Sequence, residues 1–166
     1  MHKTQKIALT TPSGFLAFGF GSGLAPVAPG TFGTLMAIPL YMVLQTLPPL
    51  MYLSVIVAGF IGGVWICGRA GEALGVHDHG GIVWDEFVGF WITMWLVPFE
   101  WTWLITGFIL FRFFDIIKPF PIGWIDKKAS GGFGVMIDDV VAGLYAWIVL
   151  MVAGFLLGQK LLSLVV

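Results

Sequence analysis

The sequence predicts an all-α integral membrane protein: a bundle of about four to five transmembrane helices with a glycine-rich N-terminal segment and an acidic site on the cytoplasmic side. Three observations lead there. The 166 residues are 58% hydrophobic and 10% charged, against about 25% charged in a soluble domain. The 62 residues from Ile7 to Gly68 contain no Asp, Glu, Lys, Arg or His, which rules out an ordinary cytosolic globule. Apolar runs approaching the 17 to 25 residues that cross about 30 Å of hydrocarbon recur five times. No internal repeat or linker divides the chain, so residues 1–166 are read as a single domain.

Lys3 and Lys6 precede an apolar stretch, and Ala25-Pro26-Val27-Ala28 resembles a cleavage site. Pro12, Gly14, Gly19, Gly21 and Gly23 nevertheless break the continuous apolar helix that a signal peptide requires. The segment Gly14 to Gly33 is uncharged but holds six glycines with Pro26 and Pro29, too many breakers for a regular span. It is expected to be re-entrant or interfacial and to line something, because non-helical backbone at membrane depth needs protein or a water-filled cavity to satisfy it. Thr34 to Leu47 is a shorter apolar run that ends in a turn at Pro48-Pro49. Leu50 to Gly68 is uncharged and reads as a crossing.

Ile82 to Pro98 carries Asp85 and Glu86, and Trp101 to Ile117 carries Arg112 and Asp115, the charges lying towards one end of each. Pro98-Phe99-Glu100 is the turn between them, and Trp91, Trp95, Trp101 and Trp103 fit a headgroup belt at that end. Val140 to Gln159 is the last uncharged run. Lys and Arg favour the cytoplasmic side of short loops. Lys3, Lys6, Arg69, Lys118, Lys127 and Lys128 then share one side, with Lys160 as the exception. The N-terminus and the loops at about 69–84 and 118–137 are therefore placed in the cytoplasm.

The net charge of −1 gives no basic face for nucleic acid. The single cysteine, Cys67, excludes an internal disulfide, a four-cysteine zinc site and a two-cysteine redox motif, and reads as a packing residue.

With this topology eight of the nine acids, all but Glu100, fall on or near the cytoplasmic side. Asp85 lies about 20 Å inward from Pro98 and Asp115 about 21 Å inward from Trp101, at 1.5 Å per helical residue. Carboxylates within a membrane persist when paired, metal-bound or facing water. Arg112, Asp115 and Lys118 are spaced three apart along one helical face, which suits a salt-bridge row snorkelling to the interface as well as a site. Asp138-Asp139 follows Gly131-Gly132-Phe133-Gly134. Acids there suit a helix start on dipole grounds, or a glycine-rich turn offering N–H groups to a phosphate beside carboxylates that hold a divalent cation. His77-Asp78-His79 precedes Asp85-Glu86 by two helical turns. Acid-bearing segments that converge from distant parts of the chain form an oxygen-rich site suited to Mg²⁺.

Four strings carry a resemblance to a known family: GFGSGLAPVAPGTFGTL (19–35), GVHDHGGIVWDEFVGFW (75–91), FRFFDIIKPFPI (111–122) and GGFGVMIDDVVAG (131–143). In this order they resemble phosphatidylglycerophosphatase A, over nearly the whole chain from about Gly14 to Gly158. The resemblance implies a bacterial inner-membrane enzyme of phospholipid biosynthesis with its active site facing the cytoplasm. Such an enzyme uses Mg²⁺ to remove the terminal phosphate of phosphatidylglycerophosphate, giving phosphatidylglycerol and inorganic phosphate. Carried over by motif, its acids correspond to Asp78, Asp85, Glu86, Asp115, Asp138 and Asp139. The expected division of labour has Asp85, Glu86, Asp115, Asp138 and Asp139 at the metal. Lys118, Arg112 and Thr31 lie at the substrate phosphate, and His77 or Asp78 acts as the acid that protonates the leaving oxygen, with Asp85 also catalytic. The rival reading is a cation or proton transporter, which should place its acids near the midplane, reachable from both sides.

Overall fold

Proline opens three of the helices and glycine closes the longest internal one. The computed structural model describes residues 3–76 and 79–165, with side chains as far as Gly158. Among the described residues the chain forms α1 (Lys3–Thr10), α2 (Pro12–Ala17), a 3₁₀ segment (Gly19–Leu24), α3 (Pro29–Leu44), α4 (Pro49–Leu74), α5 (Trp84–Thr93), α6 (Trp101–Ile117), α7 (Ile122–Lys128) and α8 (Gly131–Val165), and no strand. Pro12, Pro29 and Pro49 each occupy a first helical position, where the missing N–H costs nothing. The Thr11 hydroxyl caps α2 by accepting from the Gly14 N–H at 3.1 Å. Gly75, at φ +80°, ends α4, and the Val76 N–H reaches back to the Gly71 carbonyl at 3.1 Å.

The ten-residue α5 lies at the centre, packed by α3, α4, α6 and most extensively α8. Phe87, Val88, Phe90 and Trp91 are all buried, as expected of a helix that is mostly apolar beyond its acidic first turn. The long α8 also covers α4, α6 and α7. Glycine permits these close crossings: a Cβ at Gly143 would strike the Gly89 carbonyl, and one at Gly132 the Val64 carbonyl. α4 and the Gly131–Gly158 part of α8 are long and apolar enough to cross a membrane, while α3 is apolar but shorter.

Several boundaries differ from the expectations. The run Ile82 to Pro98 is not one helix. Ile82 and Val83 approach α5 as non-helical backbone, and the chain leaves α5 through turns in which Leu96 adopts φ +62°, so the depth reckoned along a continuous helix to Asp85 does not hold. α4 runs six residues past Gly68, shortening the 69–84 loop, and α3 begins at Pro29 instead of Thr34. The glycine-rich segment is largely helical in short pieces, α2, the 3₁₀ turn and the start of α3. α8 starts at Gly131, so Asp138 and Asp139 lie about two turns inside a helix and not at its start. Gly131, Gly132 and Gly134 thus do not form a turn beside them. The reason is packing, since Gly132 lies against the backbone of Val64 and Gly68. Trp91 is 3% exposed, its Nε1–H donating to the Ala37 carbonyl at 3.3 Å, so it is a core residue and not part of an interfacial belt.

Candidate active site

The glycine-rich segment fixes where α5 begins. Val83 donates its N–H to the Ala17 carbonyl at 2.8 Å. Gly23 lies so close to the Gly81 carbonyl that a side chain at 23 would overlap it, and Gly33 is similarly pressed onto Val83. Asp85 and Glu86 follow in the first turn of α5, where the helix dipole favours anions. Gly30, in the first turn of α3, leaves room for the Glu86 carboxylate and the Arg112 guanidinium, both of which a Cβ there would meet.

These elements enclose a cavity of about 160 Å³ lined by Asp85, Glu86, Asp115, Lys118, Asp126, Asp138 and Asp139, with Gly80, Ile82, Gly134 and Val135. Oxygens of Asp85, Glu86 and Asp139 lie within 4.8 Å of one another. Asp85 Oδ1, Glu86 Oε2, Asp138 Oδ1 and Asp139 Oδ2 are buried without a hydrogen-bond partner among the described residues. A buried polar atom left unpaired costs about 1–3 kcal/mol, and more when charged. Four of them around one small cavity could hold a cation, and an all-oxygen donor set suits a hard divalent ion.

Two cations are held among the acids in different ways. Arg112 Nη1 contacts Asp115 Oδ2 at 2.6 Å and Glu86 Oε1 at 3.4 Å. Lys118 Nζ lies 2.7 Å from both Asp126 Oδ1 and Asp138 Oδ2. Lys118 ends α6 in the left-handed conformation, φ +46°. Burial alone would lower its pKa, but the hydrogen bonds and charges of Asp126 and Asp138 hold it above the ordinary lysine value. A raised lysine pKa stabilises the fold in full below the unfolded value of about 10.4, and this is lost only as pH rises through the folded one. Lys118 is therefore a cation throughout the neutral range.

The structure brings Asp85, Glu86, Asp115, Asp138, Asp139 and Lys118 to one cavity. Arg112 does not line it but pairs with two of its acids, Glu86 and Asp115. Thr31 does not line it either, the neighbouring Gly30 being the α3 residue against Glu86. His77 and Asp78 lie outside the described residues. His79 accepts the Gly81 N–H at 3.0 Å through Nδ1.

The profile of the family described as Phosphatidylglycerophosphatase A matches residues 15–154. The chain belongs to the phosphatidylglycerophosphatase A family. A phosphatidylglycerophosphatase A of Escherichia coli K12 is 47% identical over 140 residues, covering 84% of this chain and 81% of the relative. Another, from Haemophilus influenzae, is 48% identical over 147 residues, covering 87% and 90%. A relative from Bacteroides thetaiotaomicron, 39% identical over 148 residues and covering 84% and 92%, carries the provisional name phosphatidylinositol-3-phosphatase. No solved structure matches the chain. Asp126 is the one cavity acid outside the four strings that resemble phosphatidylglycerophosphatase A, and the sequence reading missed it. The available signal was its position as the single acid between Asp115 and Asp138.

Proposed function

We propose that this chain hydrolyses the terminal phosphate of phosphatidylglycerophosphate in a bacterial inner membrane, with Mg²⁺ held by Asp85, Glu86 and Asp139 and supported by Asp115 and Asp138. The observation that carries the reading is the set of four unpartnered, buried carboxylate oxygens around a cavity that also presents Lys118. When bound, Mg²⁺ supplies positive charge to the phosphoryl oxygens as the transferred group moves. Lys118 binds the phosphate as a cation at the cavity wall, with Asp126 and Asp138 orienting its amine. Arg112 keeps Glu86 and Asp115 in position. His77 or Asp78, in the chain just before the cavity residue Gly80, provides the proton for the leaving glycerol oxygen.

The membrane reading takes α3, α4, α6 and α8 as crossings, with α5 enclosed among them, giving four to five segments and a site towards the cytoplasm. In its support, Ile61, Trp65, Ile109 and Phe155 expose apolar surface outward, and Lys and Arg concentrate towards one end of the helices. A lipid substrate would keep its acyl chains in that surround while its phosphate enters the polar cavity.

The test is phosphate release from phosphatidylglycerophosphate by the purified chain in detergent, with Mg²⁺ or with EDTA, and with phosphatidylinositol 3-phosphate as the comparison substrate. Turnover that needs Mg²⁺ and prefers the glycerol headgroup is expected. No release from either lipid by folded protein with Mg²⁺ present would overturn the reading. Lys118→Gln removes a charge-assisted contact to phosphate, so kcat/KM is expected to fall about ten- to a hundredfold. Unchanged kinetics would remove Lys118 from the phosphate site.

A further inference from the structure

A second cavity, of about 420 Å³, opens between α1, α2 and the C-terminal part of α4 and shares no lining residue with the acidic one. Its walls include Ile7, Ser13, Leu16, Trp65, Arg69 and Ala73. Lys3, Ile7 and Thr11 recur every four residues along α1 and into the cap of α2, so they share one face. The Lys3 ammonium donates to the Leu74 carbonyl at 3.1 Å, next to the Ala73 wall. The Arg69 guanidinium lies 5.7 Å from the centre of the Trp65 ring. Neither Lys3 nor Arg69 has a carboxylate partner among the described residues. The acid nearest Arg69 in sequence, Glu72, lines a separate cavity against Gly131 and Gly132.

Position along α4 gives these cations a level in the bilayer. Arg69 stands about 30 Å of helical rise from Pro49, which is the thickness of a hydrocarbon core. Trp65, one turn nearer the core and 61% exposed, has the amphipathic ring favoured at the interface. Two cations without a carboxylate partner among the described residues therefore stand at headgroup level above an apolar wall.

We propose that this cavity binds an anionic phospholipid, its phosphate between Arg69 and Lys3 and an acyl chain along Trp65 and Leu16, as a lipid site separate from the catalytic one. The proposal rests on the membrane-embedded reading above and not on the phosphatase reading.

The experiment reconstitutes the full chain in phosphatidylcholine nanodiscs doped with a photoactivatable phosphatidylglycerol or its phosphatidylcholine counterpart, and maps the labelled peptides by mass spectrometry. The phosphatidylglycerol probe is expected to label residues 7–16 and 65–73, in excess over the choline probe and undiminished by inorganic phosphate. Arg69→Gln and Lys3→Gln are each expected to reduce that label about fivefold, and Arg69→Lys to retain it, which separates loss of charge from loss of fold. Equal labelling by the choline probe, competition by inorganic phosphate, or labelling indifferent to Arg69→Gln would overturn the proposal. A chain that will not enter the nanodisc would overturn the membrane reading along with it.

Discussion

Asp139→Asn is expected to abolish turnover while raising the melting temperature of the metal-free protein. Asp139 is 3% exposed and presents an unpartnered oxygen beside Asp85 and Glu86. Carboxylates at this separation repel each other by roughly 3 kcal/mol per ionised pair at an effective dielectric constant of about 20. The amide is nearly the same size and removes that repulsion, so the fold gains while the site loses an anionic ligand. Loss of such an electrostatic contribution is expected to reduce kcat by a hundredfold or more. Thermal unfolding in EDTA and in Mg²⁺, run beside the phosphate-release assay, checks both halves. Wild-type Tm should rise with Mg²⁺, because an ion that binds only the folded state stabilises it, and the variant should lose most of that rise. A lower Tm in EDTA would show Asp139 to be a structural charge. Wild-type turnover would take it out of the site.

Gly143→Val is expected to unfold or loosen the bundle and to remove activity with it. Gly143 is one turn beyond Asp139, and Gly89, which it touches, is one turn beyond Asp85. The Thr93 hydroxyl reaches both carbonyls, at 3.0 Å from Gly89 and 3.4 Å from Gly143. This contact between the backbones of α5 and α8 thereby sets the distance between the two carboxylates. A side chain at 143 meets rigid backbone, so the cost should be at or above the ~1–3 kcal/mol of ordinary overpacking. The expected Tm loss is about 5–10 °C. Gly62→Val is the control, since nothing lies within 4 Å of a Cβ there. Equal Tm values for the two variants would mean that the α5–α8 crossing does not constrain the fold.

The positions of α4 and α6 along the chain were legible because length and apolarity are local properties. α6 begins and ends at the expected residues, Trp101 and Ile117. Hydropathy could not show that α5 is a short core helix, since a run buried in protein and one buried in lipid have the same composition. Glycines 131, 132 and 134 suggested a turn by their backbone freedom, whereas the contact of Gly132 with Val64 makes that lack of side chain the condition for α8 to start early. The carboxylates stood out because charge is costly among apolar residues. Asp126 did not, since an acid next to Lys127 and Lys128 resembles ordinary surface. The expected row of Arg112, Asp115 and Lys118 is only half present. Arg112 pairs with Asp115, but the left-handed turn at Lys118 carries the lysine to Asp126 and Asp138.

The ten residues of α5 rise only about 15 Å, half a hydrocarbon core, and its first turn holds two acids. Such a segment is too short and too polar to partition into lipid by itself during synthesis. In the membrane-embedded fold proposed above it would have to wait, at the insertion machinery or at the membrane surface, until its neighbours could shield it. Its largest cover is α8, which follows every other described helix in the chain. The carboxylate of Asp139 arrives with that cover. In that fold the acidic centre would stay unassembled until α8 joins, and a chain truncated before residue 131 would leave α5 without its largest cover.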